Sequence, residues 1–536
     1  MKTLKKLLVV QFLLFATQIM AQDGAWFPLD SGVNGTIWAI AVSGTDVYVG
    51  GTFTTAGGVS AKRIAKWDGT SWSALGTGLN NTVFCITVSG NDVYVGGAFT
   101  NAGGVSANRI AKWDGTSWTS LGTGCDNFVQ SIAVNGNTVY AGGTFTQAGG
   151  VFANKIARWN GTSWSAMGMG LNGDVESVIN VGNDIYVGGF FTASGGTTLN
   201  RIAKWSGSWS ALGTGMNNNV YTLYAEGNDI YAGGVFTQAG GTGAKRMAKW
   251  DGSSWSALGD GFNPPSSYVR DISGNGSEIF AGGQFVESNG DTSKNIAQWN
   301  GSSWSALGDG IDGLRVNGVA YLNNNLYAGG NITEAGGNPV NNIAVFIYVP
   351  PAPGNLTLNI PLQGTVELNW ADTLSNEDGF VIERKLNSDT SWTVMDTTAI
   401  NVTSFIDSGL VTGNTYYYRV YGFNISGNSE YSDTVSTVIT AVTGAENSPE
   451  KYALYNNYPN PFNPSTTIKF DLPKNSAVKL IIYDILGRQV STLVNKELSA
   501  GRYEMEWNAV GFASGMYFYR IEAEGFVETR KMVLIK

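Results

Sequence analysis

Tryptophans at positions 26, 72, 118, 164, 209, 255 and 304 mark seven near-identical segments, spaced 46, 46, 46, 45, 46 and 49 residues apart. A unit of this length cannot bury its own apolar face, so its copies must stack, and the period is that of a β-propeller blade. Each segment reads W-S-x-L-G, an apolar strand, a V-Y-x-G-G strand and an I-A-K/R-W-D/N-G strand. In the second segment, alternation and turn residues place strands at 83–88, 92–100, 109–113 and 118–121. Ser89-Gly90-Asn91-Asp92 turns between the first two, and Asp114-Gly115 opens the turn between the last two. The single 45-residue spacing falls where Ser206-Gly207-Ser208 shortens that same hairpin, which a blade tolerates. The chain enters on a fourth-strand sequence, 26–29, and leaves the repeats on a third-strand sequence, 342–348. The phase therefore predicts that 26–29 completes the blade formed by 315–348, joining the chain ends and removing two sheet edges.

The unit G-G-x-F-T-x-A-G-G…I-A-K-W-D-G-x-S-W-S-A-L-G, with glycine pairs such as Gly50-Gly51 and Gly96-Gly97, resembles the kelch repeat. It is still more similar to repeats of fungal cortical polarity-marker ectodomains and bacterial surface proteins, over 25–348. That resemblance implies a seven-bladed propeller and says little about activity, because propellers host enzymes and scaffolds alike. The W-D pairs lie in hairpin turns and the chain holds no histidine, so the Gly-His element of WD40 repeats is missing.

Pro350-Pro351-Ala352-Pro353 then forms a stiff linker. From 354 to about 442 the chain resembles a fibronectin type III module, with Trp370 in an early strand, a middle strand at 379–384, and Thr415-Tyr416-Tyr417-Tyr418-Arg419-Val420 as the tyrosine-corner strand. The match implies that Tyr416 bonds back to nearby backbone, with Tyr418 and Trp370 in the core. No Arg-Gly-Asp loop occurs. After a second linker at 443–450, the run Leu454-Tyr455-Asn456-Asn457-Tyr458-Pro459-Asn460-Pro461-Phe462-Asn463-Pro464 closely resembles the opening of the C-terminal sorting domain of type IX secretion substrates. Tyr483-Asp484-Ile485-Leu486-Gly487-Arg488, Ser514-Gly515-Met516-Tyr517-Phe518-Tyr519 and the terminal Lys531-Met532-Val533-Leu534-Ile535-Lys536 extend the match over 451–536. It implies a Bacteroidetes-type or related bacterium, handling by the type IX secretion machinery, and a product anchored at the surface or released.

The amino terminus fits that route. Lys2, Lys5 and Lys6 precede an apolar run at 7–16 and a small residue, Ala21, which reads as a signal peptide over 1–21. The run is short for a membrane span, and no other stretch is long and apolar enough. Losing the leader moves the formal charge from −9 to −12, which argues against nucleic acid as a partner. Export permits Cys85 and Cys125 to pair, but a propeller of this size does not need the crosslink, and two separate thiols are the favoured reading.

Catalytic options are narrow. Without histidine there is no Ser-His-Asp or Cys-His triad and no His-based metal site, and two cysteines cannot build a Cys₄ zinc site. No cofactor or metal is implied. Carboxylate, Tyr, Lys or Arg chemistry remains, as in glycan-active propellers. Arg63, Arg109, Lys155, Arg201 and Arg246 share one repeat position, with Asn295 and Asn342 in the last two blades: a basic ring facing anionic glycan, or solvated strand ends. Asp46, Asp92, Asp184 and Asp229 mark turns on the opposite face, and the Trp67/Trp72 pairs read as blade packing.

Departures cluster in the last two blades, where Pro264-Pro265-Ser266-Ser267 enlarges a loop. Arg270, Asp271, Glu287, Asp291, Asp312 and Arg315 are charges that the other blades mostly lack, and they are the candidate ligand site, several of them expected at the loop face or channel mouth. Asp271, Asp291 and Asp312 offer an acid–base pair, although repeat decay accounts for the same substitutions. The reading is thus an all-β chain: signal peptide 1–21, seven-bladed propeller 22–349, linker 350–353, and two small β-sandwiches at 354–442 and 451–536. The function expected is that of an exported surface or secreted binding or adhesion protein for an extracellular glycan or protein. The alternative is a secreted carbohydrate-active enzyme with a carboxylate site on the loop face.

Overall fold

The computed structural model describes residues 24–535 except 289–290, 363, 373–375 and 441–448. The signal peptide expected at 1–21 and much of the second linker lie outside the described residues. Every element among the described residues is a strand, and no helix is long and apolar enough to cross a membrane. The chain divides into two compact units, one running to Asn359 with Val366–Asp407 and Tyr416–Thr437, the other comprising Ile360–Thr365, Ser408–Thr415 and the residues from Val438 onward.

Seven sheets of the first unit are the blades. In blade 2, strands Val83–Ser89, Asp92–Gly97, Ile110–Trp113 and Trp118–Ser120 pair in that order, each antiparallel to the next. Blade 7 consists of Ile311–Leu322, Asn325–Ala335 and Ile343–Tyr348, and its fourth strand is Gly24–Pro28, paired from Gly24↔Tyr348 to Pro28↔Ala344. The predicted clasp is present. The inner strand of blade 7 in turn abuts that of blade 1, Ile37–Ser43, which closes the ring.

The repeated residues explain the stacking. A Cβ on Gly97 would sit 2.1 Å from the Thr82 carbonyl of its own inner strand, and one on Gly96 would sit 2.6 Å from Val129 of the next blade. The glycine pairs thus exist for close approach between strands and between blades. The fourth-strand tryptophans staple neighbours: Trp118 Nε1 donates to the Leu75 carbonyl at 2.9 Å, Trp164 to Leu121 at 2.7 Å, and Trp26 to Leu307 at 2.9 Å. Each also packs on its hairpin partner, Trp113 on Trp118 at 5.4 Å between centroids, so these rings are blade packing as read. In the turn between them, the N–H groups of Ser117 and Thr116 hold the Asp114 carboxyl well below the usual carboxylate range. The three-residue turn of the short blade joins Trp205↔Trp209.

Three local features depart from the sequence reading. The second strand ends at Gly97, and the stretch after it forms a two-residue hairpin, Asn101–Ala102 with Val105–Ser106. The turn aspartates are held as ion pairs, Asp46 with Lys66 at 3.0 Å and Asp92 with Lys112 at 3.0 Å, one rung of the ladder away. The residues of the basic ring are held against the blades rather than projecting as solvated strand ends. All seven residues adopt a left-handed backbone, with φ from 62 to 72°, and the long side chains turn back onto carbonyls. Arg109 Nη1 donates to Ala98 O at 2.6 Å, and Lys155 Nζ to Thr144 O at 2.9 Å, while Arg246 is 5% exposed. Left-handed geometry is costly for a residue with a side chain; here it sets two backbone hydrogen bonds, Arg109 N to Phe99 O and Gly97 N to Arg109 O.

Beyond the propeller, Gly354–Asn359, Thr365–Ala371 and Ser404–Ser408 form one sheet, and Thr393–Thr397, Gly379–Leu386, Thr415–Asn424 and Gly427–Asn428 the other, the arrangement expected of a fibronectin-like sandwich. Trp370, Tyr416 and Tyr418 are buried, and Tyr418 donates to Asp407 at 2.8 Å. The C-terminal sandwich pairs Ala453–Leu454, Ser465–Leu472 and Gly501–Asn508 in one sheet, and Gln489–Leu498, Ser476–Asp484, Gly515–Ala523 and Phe526–Leu534 in the other. Phe462, Trp507, Tyr517 and Tyr519 lie in its core.

Candidate functional site

The inner strand of every blade carries a β-bulge at one equivalent position, between Ile37 and Ala39, Val83 and Cys85, and so on to Val269 and Asp271 and to Val316 and Gly318. A bulge re-aims the extra side chain, and here all seven extra residues line the central channel: Trp38, Phe84, Gln130, Glu176, Tyr221, Arg270 and Asn317. No two blades carry the same residue at this position, although the flanking apolar residues scarcely change. The cavity they enclose measures about 200 Å³.

At the mouth, rings and guanidinium groups form a continuous arc. Phe128 and Phe84 meet edge to face at 5.7 Å, Phe84 and Trp38 at 6.0 Å, and Tyr221 and Tyr268 at 5.7 Å. Arg315 links the two halves, with its guanidinium 4.7 Å from the Trp38 ring and its Nη1 donating to Tyr268 Oη at 3.3 Å. Arg270 lies 5.4 Å from the Tyr221 ring and reaches Glu176 of blade 4 at 3.0 Å. These rings are half-exposed or exposed, unlike the buried fourth-strand tryptophans. Several polar atoms in the wall are buried without a partner: Trp38 Nε1, Arg315 Nε and Asn317 Oδ1.

The six charged candidates do not converge. Arg270, Asp271 and Arg315 lie at the channel end of the inner strands. Glu287 and Asp291 stand on the short hairpin of blade 6, in the strands Glu287–Ser288 and Asp291–Thr292. Asp312 pairs with Lys294 at 3.0 Å and is half-exposed. Asp271 serves the seam between blades: its carboxylate accepts the Val319 N–H at 2.9 Å and Thr222 Oγ1 at 3.4 Å. Ser131 and Ser177 do the same in other blades, accepting the N–H groups of Val178 and Leu223. Burial raises the Asp271 carboxyl to about 6. Cys85 and Cys125 are free, and burial pushes the Cys85 thiol up to about 12 and that of Cys125 up as well. Among the described residues, no cluster of three or more Cys, Asp or Glu side chains is placed to hold a metal.

A roomier depression of about 450 Å³ lies on the C-terminal sheet, walled by Lys479, Lys496, Glu497, Glu522 and Phe526. Its charges are of both signs, and it gathers a single ring, so it lacks the convergence seen at the channel.

In the sorting segment the motif residues anchor the last strand. Phe462 is buried and forms a parallel bridge to Leu534, and Asn460 Oδ1 accepts the Val533 N–H at 3.0 Å. Asn457 is buried: its N–H donates to Tyr519 Oη at 3.0 Å and its side chain to Pro459 O and Thr466. The Pro464 carbonyl accepts the Ala509 N–H. Tyr458, Pro459, Pro461 and Asn463 are exposed.

Residues 115–274 match the family described as Rax2 C-terminal beta propeller domain, and residues 456–536 match that described as Secretion system C-terminal sorting domain. Among solved structures, the one titled "Myokine structure" is 23% identical over 17% of this chain and 99% of its own, with a TM-score of 0.16. The solution structure of the 6th fibronectin type III domain from human fibronectin type III domain containing protein 3 is 21% identical over 18% of this chain and 92% of its own, also at a TM-score of 0.16. The chain thus carries a Rax2-like β-propeller domain and a type IX C-terminal sorting domain, and it is exported by that secretion system to the cell surface or beyond.

Proposed function

We propose that this protein is an exported binding or adhesion protein whose ligand sits at the channel mouth of the propeller, with the fibronectin-like sandwich at 354–442 as spacer and the domain at 451–536 spent on export. One observation carries the reading: the bulge position of the inner strand, where seven blades present seven different side chains to one cavity. Blade geometry would favour one residue repeated seven times, as it does in the outer strands, so the variety supports selection for an asymmetric ligand. The catalytic alternative gains less. Glu176 is engaged by Arg270 and Asp271 by the Val319 N–H, so the two carboxylates at the mouth already have structural work.

The test uses the full exported chain on a glycan array and in capture from the native cell surface. Trp38→Ala with Tyr221→Ala is compared with Thr119→Ala on an outer strand. A ligand captured by wild type and by Thr119→Ala but lost with the double variant supports the site. Capture unaffected by the double variant moves the site elsewhere, and turnover of a captured glycan restores the enzymatic reading.

A further inference from the structure

The chemistry of the mouth narrows the ligand, provided that the mouth is the binding site proposed above. The arc offers exposed or half-exposed aromatic surface in Trp38, Phe84 and Phe128, set edge to face, so a pyranose packs its C–H face on one ring and its rim against the next. Asn317 is 3% exposed and its Nδ2 donates to Ile37 O at 2.8 Å, so it holds the blade seam and leaves polar recognition at the mouth to the half-exposed Arg315. A throat of about 200 Å³ falls below the roughly 300–1,000 Å³ of clefts that enclose a whole drug-sized ligand, so it admits one ring and leaves the rest of a polymer outside.

Charge then separates neutral from acidic sugars. The chain is acidic overall, at −9. At the mouth, Arg270 is matched by Glu176 at 3.0 Å. Among the described residues, no carboxylate pairs with Arg315, although its guanidinium is held between Trp38 and Tyr268. A guanidinium oriented in this way is pre-organised for a planar or tetrahedral oxyanion.

We propose that the propeller mouth binds a saccharide carrying an anionic substituent, carboxylate or sulfate, with the sugar ring packed on a ring of the Trp38–Phe84–Phe128 arc and the anion against Arg315. The acidic Glu176 lines the channel on blade 4, so the charged end has one preferred direction.

Calorimetric titration of the full exported protein tests this with four probes: an oligogalacturonate, its methyl-esterified neutral counterpart, a sulfated oligosaccharide and its desulfated form. One charged probe is expected to bind at least tenfold more tightly than its neutral partner, and which one does so identifies the anion. Arg315→Gln should abolish that preference, Arg315→Lys should retain part of it, and thermal unfolding of both variants should match wild type. Equal affinity for charged and neutral probes, lost in Trp38→Ala, overturns the anionic ligand and leaves the mouth as the site. No saccharide binding overturns it too; surface capture that still depends on Trp38 and Tyr221 would then keep the binding reading, and capture independent of them would end both.

Discussion

The inner and outer strands of a blade are about equally repetitive in backbone and opposite in sequence. Outer strands begin Trp72, Trp118, Trp164 and onward, every ring but that of Trp209 buried and most of them bonded to the preceding blade. Inner strands carry Trp38, Phe84, Gln130, Glu176, Tyr221, Arg270 and Asn317 at one register. Both positions hold large side chains, so size does not separate them. What separates them is what they face: a neighbouring blade identical in every copy, or a channel shared by all seven. In a closed repeat, sameness reports geometry and difference reports recognition.

That contrast breaks most visibly at the clasp. Deleting 24–29 removes a strand and the Trp26 staple at once, and thermal unfolding is expected to fall by roughly 10 °C or more, given about 2–4 °C per kcal/mol for a domain of this size. An unchanged transition would mean that the ring closes without it. Next in size, Trp26→Ala should cost about 3–5 kcal/mol of stability with ligand capture intact. Trp38→Ala should cost about 1 kcal/mol or less, as its ring is half-exposed, with capture abolished. If the two tryptophans exchange behaviours, the comparison is wrong.

The seam carboxylate sharpens it further. A carboxyl at about 6 in the folded protein takes up its proton at higher pH than the usual 3.8 of the unfolded chain. Its stabilising share is therefore complete below about pH 3.8 and is lost as pH rises through about 6, a slope worth up to about 3 kcal/mol. Unfolding followed from pH 4 to 8 should flatten in Asp271→Asn; an identical slope would remove Asp271 as its origin. The smallest effect belongs to the surface rungs. Lys112→Met, which breaks the pair with Asp92, should change stability by less than about 1 kcal/mol and more weakly still in high salt.

The architecture was legible because seven copies average out local ambiguity: the glycine pairs, the Trp hairpins and the phase that demands a clasp can all be read without coordinates. What escaped was fixed by conformation, which composition does not report. Arg63 and Arg109 looked like surface charge, yet Asn295 and Asn342 at the same position were the signal, since Asn is the residue that tolerates a left-handed backbone. The aspartate rungs were visible as paired changes: Thr138 replaces Asp where Arg158 replaces Lys, and Glu278 replaces it where Gln298 does. At the site, attention to charge found Arg270 and Arg315 and missed the rings between them. A search for the register at which no two blades agree finds all seven. The bulge that turns those side chains into the channel follows from strand pairing, and the sequence pattern does not specify it.

The strand that ends the ring is also the strand that leaves it. Ile343–Tyr348 is flanked on one side by Asn325–Ala335 and on the other by Gly24–Pro28. Its last carbonyls, on Ile347 and Tyr348, accept bonds from Ser426, Asn376 and Asn424 of the following sandwich. Tension between a ligand at the mouth and a tether beyond the propeller would enter the blade along this strand. Both of its ladders would be loaded in shear, so their hydrogen bonds would yield together rather than one by one. A closure that joins residues 312 apart in sequence thereby becomes a mechanical coupling, with the amino-terminal strand bearing part of the pull exerted through the other end of the chain.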